Sequence, residues 1–154
     1  MTLREATDAD VPSLTAVINT AFEVERFFKI GDRTSADETR ARMRKGSFLI
    51  LEDTGQIVAA IFVSAAGGLG YFGTLSVHPA QQGRGLGARM VQAAEEWCRD
   101  RGCSQMEIEI VNLRTELPPF YRRLGYQESG TRPFVDAERS TMPCHFVVMR
   151  KPLT

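Results

Sequence analysis

Glycine occupies every second position of Gly83-Arg84-Gly85-Leu86-Gly87, where an apolar strand gives way to an amphipathic helix. Three alternating glycines cost backbone entropy that a plain connection would not need. Without Cβ atoms they let backbone amides come up against a ligand and adopt angles that other residues avoid. The positive end of the helix dipole lies behind those amides, so the turn reads as an anion site suited to a pyrophosphate.

The strand that enters this turn is the third of a run. Ser47 to Glu52, Ile57 to Ala65 and Tyr71 to Val77 are joined at Asp53-Thr54-Gly55 and Ala66-Gly67-Gly68, and such short joins imply antiparallel hairpins. The middle strand is apolar on both faces and is expected to be central. Upstream, Thr2 to Ala6 reads as a strand. Val11, Leu14, Val17, Ile18 and Phe22 then recur at helical spacing from Asp8 to Phe22, with Thr7 or Asp8 as cap. A second helix begins at Ser35, which with Glu38 has capping-box spacing, and stops at Gly46. Between these helices lies an aromatic and charged linker, Glu23 to Thr34.

Downstream, Leu86, Met90, Ala93, Ala94 and Trp97 form one stripe of a helix over Arg84 to Arg101. The strand Gln105 to Val111 sets Met106, Ile108 and Ile110 on one face and Glu107 and Glu109 on the other. Pro118-Pro119 open a short helix through Leu124 that Gly125 closes. Final strands at Tyr126 to Gly130 and His145 to Arg150 bracket a loop with Pro133 and Pro143. The order predicts an α+β fold: a mixed, mostly antiparallel central sheet of about seven strands flanked by about four helices. The chain's 154 residues fit one domain over 1–154, without internal repeat or interdomain linker.

Composition excludes several classes. Lysine plus arginine number 19 and aspartate plus glutamate number 19, so no global field draws nucleic acid. The clusters Arg40 to Lys45 and Arg122-Arg123 read as solvated helix faces. No apolar run approaches the roughly 18 residues that span a bilayer, and Met1-Thr2-Leu3-Arg4-Glu5 lacks a signal-peptide core, so a cytoplasmic protein without a membrane partner is expected. Cys98, Cys103 and Cys144 are odd in number and show no C-x-x-C pair, which argues against a disulfide framework and against a metal site. Cys144 and His145 point to opposite faces of one strand and do not make a nucleophile and its base.

Two nucleotide patterns compete for the glycine turn and fail. The Walker pattern is absent. The dinucleotide pattern G-x-G-x-x-G also fails, because the third glycine comes one residue early and antiparallel strands, not a βαβ unit, lead into the turn. Glu107 or Glu109 would otherwise stand where that pattern puts its ribose-binding acid.

At this turn the sequence resembles the GNAT family of N-acetyltransferases, whose hallmark [RQ]-x-x-G-x-[GA] is matched by Gln82, Gly85 and Gly87. The family's downstream asparagine and aromatic-Tyr-x-x-x-Gly-aromatic stretch are matched by Asn112 and by Phe120-Tyr121-Arg122-Arg123-Leu124-Gly125-Tyr126. The element order agrees along nearly the whole chain, while the specific motifs occupy Leu75 to Tyr126. The stretch from Asn112 to Tyr121 departs by being longer than in the commonest members.

The resemblance implies acetyl-CoA or another short acyl-CoA as donor and an amine as acceptor. Amides of Gln82, Gly83, Arg84, Gly85, Leu86, Gly87 and Ala88 would hold the pyrophosphate. Backbone groups of Leu75, Ser76 and Val77 would pair with the pantetheine arm in a gap between splayed strands, with Asn112 and Tyr121 alongside. A lysine-like amine, with a pKa of about 10.4, must lose a proton before or during attack. Glu109 is the candidate base, beside Glu107 and His78, and Tyr121 the acid that protonates the leaving thiolate. A backbone amide near Val77 would face the oxyanion. Glu23, Glu25, Phe28 and Arg33 would contact a small-molecule or peptide amine. Aromatics such as Phe27 and Phe28 are more often residues of a core or a homodimer contact than ligand walls. A non-catalytic acyl-CoA sensor is the alternative function.

Overall fold

The computed structural model describes residues 1–153. Seven strands form one sheet: β1 Thr2–Glu5, β2 Ser47–Asp53, β3 Gln56–Ala66, β4 Leu69–Val77, β5 Gln105–Val111, β6 Gln127–Pro133 and β7 His145–Pro152. The spatial order is β1-β2-β3-β4-β5-β7-β6. Every neighbouring pair is antiparallel except β4 and β5. The helices are α1 Val11–Ala21, α2 Ala36–Met43, α3 Leu86–Arg99 and α4 Leu117–Arg123. The mixed, mostly antiparallel α+β sheet is therefore as the sequence predicts.

Each face of the sheet is sealed by its own helices. Leu14, Val17 and Ile18 of α1 bury against Phe48 and Ile50 of β2 and Ala60 and Phe62 of β3. On the other face, Leu86, Met90, Ala93 and Ala94 of α3 cover Leu49, Leu51, Ile61 and Met106. β2 serves both layers because its side chains alternate, and β3 is buried from Ile57 to Val63, as expected for a central strand. The stripe read for α3 holds, and Trp97 at its edge is half-buried against the same core and donates from Nε1 to Glu5 Oε1 at 2.7 Å. None of the helices is long and apolar enough to cross a membrane.

Boundaries shift where local chemistry acts. Ser35 Oγ accepts from the Glu38 amide at 3.1 Å, as the capping spacing predicts, but α2 ends at Met43, before Gly46. The expected first helix splits into a 3-10 turn at Asp8–Asp10 and α1, because Pro12 in the first turn has no amide to continue the ladder backwards. The linker Glu23 to Thr34 is partly ordered as a 3-10 helix over Phe22–Phe27, and the Ile30 amide donates to Arg139 O.

Gly70 sets how closely α3 approaches the one parallel strand pair. A Cβ there would stand 2.5 Å from Met106 Sδ and 2.7 Å from Cys98 Sγ. Farther along β5, Glu107 lies opposite Arg150 of β7 and 2.6 Å from Arg132 of β6, so one buried carboxylate stitches three strands. Arg150 Nη2 lies 2.6 Å from Glu107 Oε2 as well, though not aligned for a hydrogen bond. The Arg132 hydrogen bond, assisted by Arg150, holds the Glu107 carboxyl below the usual carboxylate range against the opposing effect of burial.

Gly70→Ala is expected to lower unfolding stability by about 1–3 kcal/mol, measured by urea denaturation, because Cys98 and Met106 must move. Glu107→Gln should cost stability at pH 7. A carboxyl whose folded value is depressed contributes fully above its unfolded value of 4.5 and loses that contribution as pH falls through the lower folded value. The wild-type advantage over the variant should therefore shrink as denaturation midpoints are taken below that pH.

Candidate active site

β4 and β5 pair only from Leu69–Tyr71 to Gln105–Glu107 and then part. A bulge in β4 accompanies the parting: between the pairs Phe62–Gly73 and Ala60–Ser76, β4 carries one residue more than β3. Thr74 absorbs it at φ 52°, an uncommon and strained angle for a β-branched residue, and Ser76 Oγ donates to Thr74 O at 3.1 Å. After the bulge the His78 amide donates to Val58 O at 2.9 Å. The alternation of an antiparallel ladder then turns the Val77 N–H and C=O away from β3, toward the gap.

Beside the gap runs a groove of about 790 Å3. Its walls are the end of α1 with Phe22 to Val24, the end of β4, the start of α3, and α4. Gly83 and Gly85 take φ of 80° and 75°, conformations that favour glycine, and Gly85 caps α3. Among the described residues, the amides of Gly83 to Ala88 donate to no backbone carbonyl. Six donors at one helix start thus remain available to an anion.

A smaller cavity, about 110 Å3, opens between the parted strands and shares Phe22, Leu75, Arg114 and Leu117 with the groove. Tyr121 and Glu109 both line it. Tyr121 is held by an aromatic cluster, with ring centroids 5.0 Å from Phe120, 5.9 Å from Phe72 and 6.0 Å from Tyr126. Its hydroxyl has no hydrogen-bond partner among the described residues and is not sealed from the cavity. Burial pushes the phenol well above its usual value, the Arg114 charge offsetting part of the rise. Tyr126, by contrast, donates to Glu95 Oε2 at 2.7 Å, and Lys151 sits 3.0 Å from that carboxylate, so this trio fastens α3 to β7.

A third cavity, about 240 Å3, adjoins on the side of α2 and shares Arg33, Gly73, Thr74, Glu109, Phe134 and Phe146 with the small one. Groove, junction and chamber therefore adjoin in series along the opened sheet, the junction sharing walls with each of the other two.

The structure brings most of the sequence-predicted residues to these cavities. Leu75, Val77, Gln82, Gly83, Gly85, Leu86, Gly87 and Ala88 line the groove, Tyr121 lines the junction, and Glu109 and Arg33 line both junction and chamber. Others lie outside these cavities or, like Glu23, in a different one from that expected. Ser76 is fully buried and in register with Ala60, so its backbone serves β3. The Arg84 side chain turns back to Gln81. Asn112 lines none of these three cavities; its Oδ1 accepts from the His145 amide at 2.9 Å and extends the β5–β7 ladder. Glu23 is on the groove, not in the chamber, and Phe28 is fully buried with Val111 and Phe134.

Two candidate bases are also occupied. Glu107 is committed to its arginines, and His78 Nδ1 accepts from the Ala80 amide at 3.1 Å. Glu25 is buried between Arg114 at 2.8 Å and Arg33 at 3.4 Å, so it does not stand free for a cationic amine. Sequence reasoning missed Arg114 and Phe22 in the junction and Lys29 and Arg42 in the chamber. Arg114 pairs with a residue 89 positions away, which no local pattern signals. Among the described residues no cluster of acids, histidines or cysteines could hold a metal ion.

Glucosamine 6-phosphate N-acetyltransferase 1 of Oryza sativa subsp. japonica is 34% identical over 93 residues, covering 54% of this chain and 54% of that protein. The match thus spans about half the relative's length. The ribosomal-protein-S18-alanine N-acetyltransferase of Escherichia coli superposes with a TM-score of 0.79 at 17% identity, covering 99% of this chain and 94% of that one. An aminoglycoside 6'-N-acetyltransferase solved with coenzyme A superposes at 0.77 and 16% identity, covering 100% and 98%. These two share the fold. The profile of the acetyltransferase (GNAT) family matches residues 13–126, most of the sequence, and the chain belongs to that family.

Proposed function

We propose that the protein transfers an acetyl or other short acyl group from acyl-CoA to a primary amine by direct attack on the thioester. One observation carries this reading: the groove that holds the free amides of Gly83 to Ala88 adjoins a cavity between parted strands, and Tyr121 and Glu109 both line that cavity. Membership of an acetyltransferase family and the coenzyme A complex of a fold neighbour support it.

Pyrophosphate would lie on the Gly83 to Ala88 amides and the pantetheine arm along Leu75 and Val77, completing the edge that β5 leaves open. Glu109 takes a proton from the ammonium directly or through water. The amine lone pair then forms the C–N bond while the carbonyl oxygen gains negative charge, which the Val77 N–H can stabilise. As the C–S bond breaks, the sulfur keeps the electron pair. A thiol of pKa about 8.5 is a stronger acid than a phenol raised above its usual value of 10, so lasting transfer from Tyr121 is uphill. Tyr121 therefore acts as a hydrogen-bonding acid at the moment of departure, and the proton shed by the nitrogen ends on the thiol.

Saturating acetyl-CoA is expected to stabilise the protein by about 2.7 kcal/mol at a hundred times its Kd, seen as a melting shift of roughly 5–11 °C. Gly85→Arg should abolish it, because an L-residue resists the φ of 75° and its side chain enters the groove. No shift at millimolar acetyl-CoA would remove the cofactor assignment. A sensor would show the shift yet release no thiol with any amine in a panel of polyamines, aminoglycosides, amino acids, peptides and glucosamine 6-phosphate, the acceptor named for the rice relative.

Tyr121→Phe should reduce kcat on the order of 100-fold while acetyl-CoA affinity changes little. Equal losses in both would make the residue a packing group. Glu109→Gln should lower kcat and displace the acidic limb of the pH–rate profile. An unaltered profile would move the base to another group.

A further inference from the structure

The chamber beyond the junction is lined by three cations from the second helix and the ordered linker, Lys29, Arg33 and Arg42. Their neutralisation is incomplete. Arg42 lies over the Phe62 ring, 4.3 Å from its centroid, and no carboxylate comes within 4.0 Å of it among the described residues. Among the described residues Lys29, 7% exposed, makes no hydrogen bond through Nζ; it lies over the Phe134 ring at 5.4 Å, and Asp136, at 3.6 Å, is its one carboxylate partner within 4.0 Å. Arg33 reaches Glu25 at 3.4 Å, but that carboxylate is held more closely by Arg114, at 2.8 Å.

These cations also repel one another. Burial, then the charge of Arg33, push the Lys29 ammonium below its ordinary value. Arg33 is lowered in turn by burial, with Glu25 opposing and Arg42 adding to the fall. The chamber's acids do not cancel them. Glu109 faces Arg132 at 3.5 Å and sits at the junction, Asp136 is the partner of Lys29, and Glu38 is exposed on the helix surface. Lys29 is buried and Arg33 and Arg42 are partly buried, so oxygens supplied by a ligand would offset the cost of holding three weakly paired cations together.

We propose that this chamber selects an acceptor amine that also carries an oxyanion group, phosphate or carboxylate, bound by Arg42, Arg33 and Lys29 while the amine points to Glu109 and the parted strands. The proposal rests on the acyl-transfer reading and sharpens its substrate class. Two guanidinium forks and one ammonium match the several acceptor oxygens of such a group. At about 240 Å3 the chamber has room for roughly eight waters, the scale of a small metabolite's charged end. A polyamine or cationic aminoglycoside would meet like charge there.

The test uses matched amines on the full chain: ethanolamine against O-phosphoethanolamine, and an amino acid against its amide. Thiol release from acetyl-CoA gives kcat/KM, and calorimetry in the presence of coenzyme A gives binding without turnover. The anionic member of each pair should be favoured between about tenfold and a hundredfold, the worth of hydrogen bonds to charged groups. Arg42→Gln should raise KM for the anionic amines by at least tenfold while keeping the acetyl-CoA melting shift. Should that variant not fold, inorganic phosphate must compete with the anionic amine on the wild-type protein. The phosphate and carboxylate arms decide which oxyanion is used.

Equal or better use of the neutral amines, an unchanged KM in the folded variant, or no competition by phosphate would overturn the proposal and leave acyl transfer standing. Selective binding of the anionic amines without thiol release would do the reverse, keeping the anion site and removing catalysis.

Discussion

Two parallel strands that pair over three residues and then separate govern this molecule. Had β4 and β5 stayed in register beyond Tyr71 and Glu107, their backbones would have satisfied each other and closed the sheet. Separation leaves unpaired backbone groups on β4 and adjoining cavities along the sheet. The strained Thr74 in the bulge is part of that arrangement, since a residue in a sparsely populated conformation persists only where its surroundings over-determine it. Here the surroundings are β3, which keeps its ladder to β4 on both sides of the bulge.

Holding the sheet open needs support on each flank. On one side, the trio of Glu95, Tyr126 and Lys151 ties α3 to β7, and the aromatic cluster around Tyr121 fastens α4 to β4. On the other, Glu107 binds β5, β7 and β6 through Arg132 and Arg150. Ion pairs of this kind gain little over apolar packing, but removing one member of a buried pair strands the other charge. The acidic residues of the strand and linker are in this way mostly spent on architecture. Glu109, whose arginine contact is longer and whose side chain reaches two cavities, is the carboxylate left beside Tyr121.

The elements most legible in the sequence are those set by local chemistry. The boundaries of β5 follow from alternation, the start of α2 from the Ser35–Glu38 spacing, and the turn into α3 from its glycines. Legibility failed where a side chain's fate depends on distant partners. Glu107 and Glu109 have the same periodicity, yet Arg150 and Arg132 meet the first far more closely than the second. Asn112 matches a motif but is taken by the β7 backbone, and Phe28 in a charged linker turns out to be core.

The sequence by itself determined the glycine turn into α3, the order of strands and helices, and the family, because glycine placement, periodicity and caps act over a few residues. Tertiary structure alone decided which carboxylates remain free, that Arg114 closes on Glu25, and that Lys29, Arg33 and Arg42 converge on one chamber. The physical reason is that charges interact through space across segments far apart in the chain, and their pairing exists only once the sheet has brought those segments together.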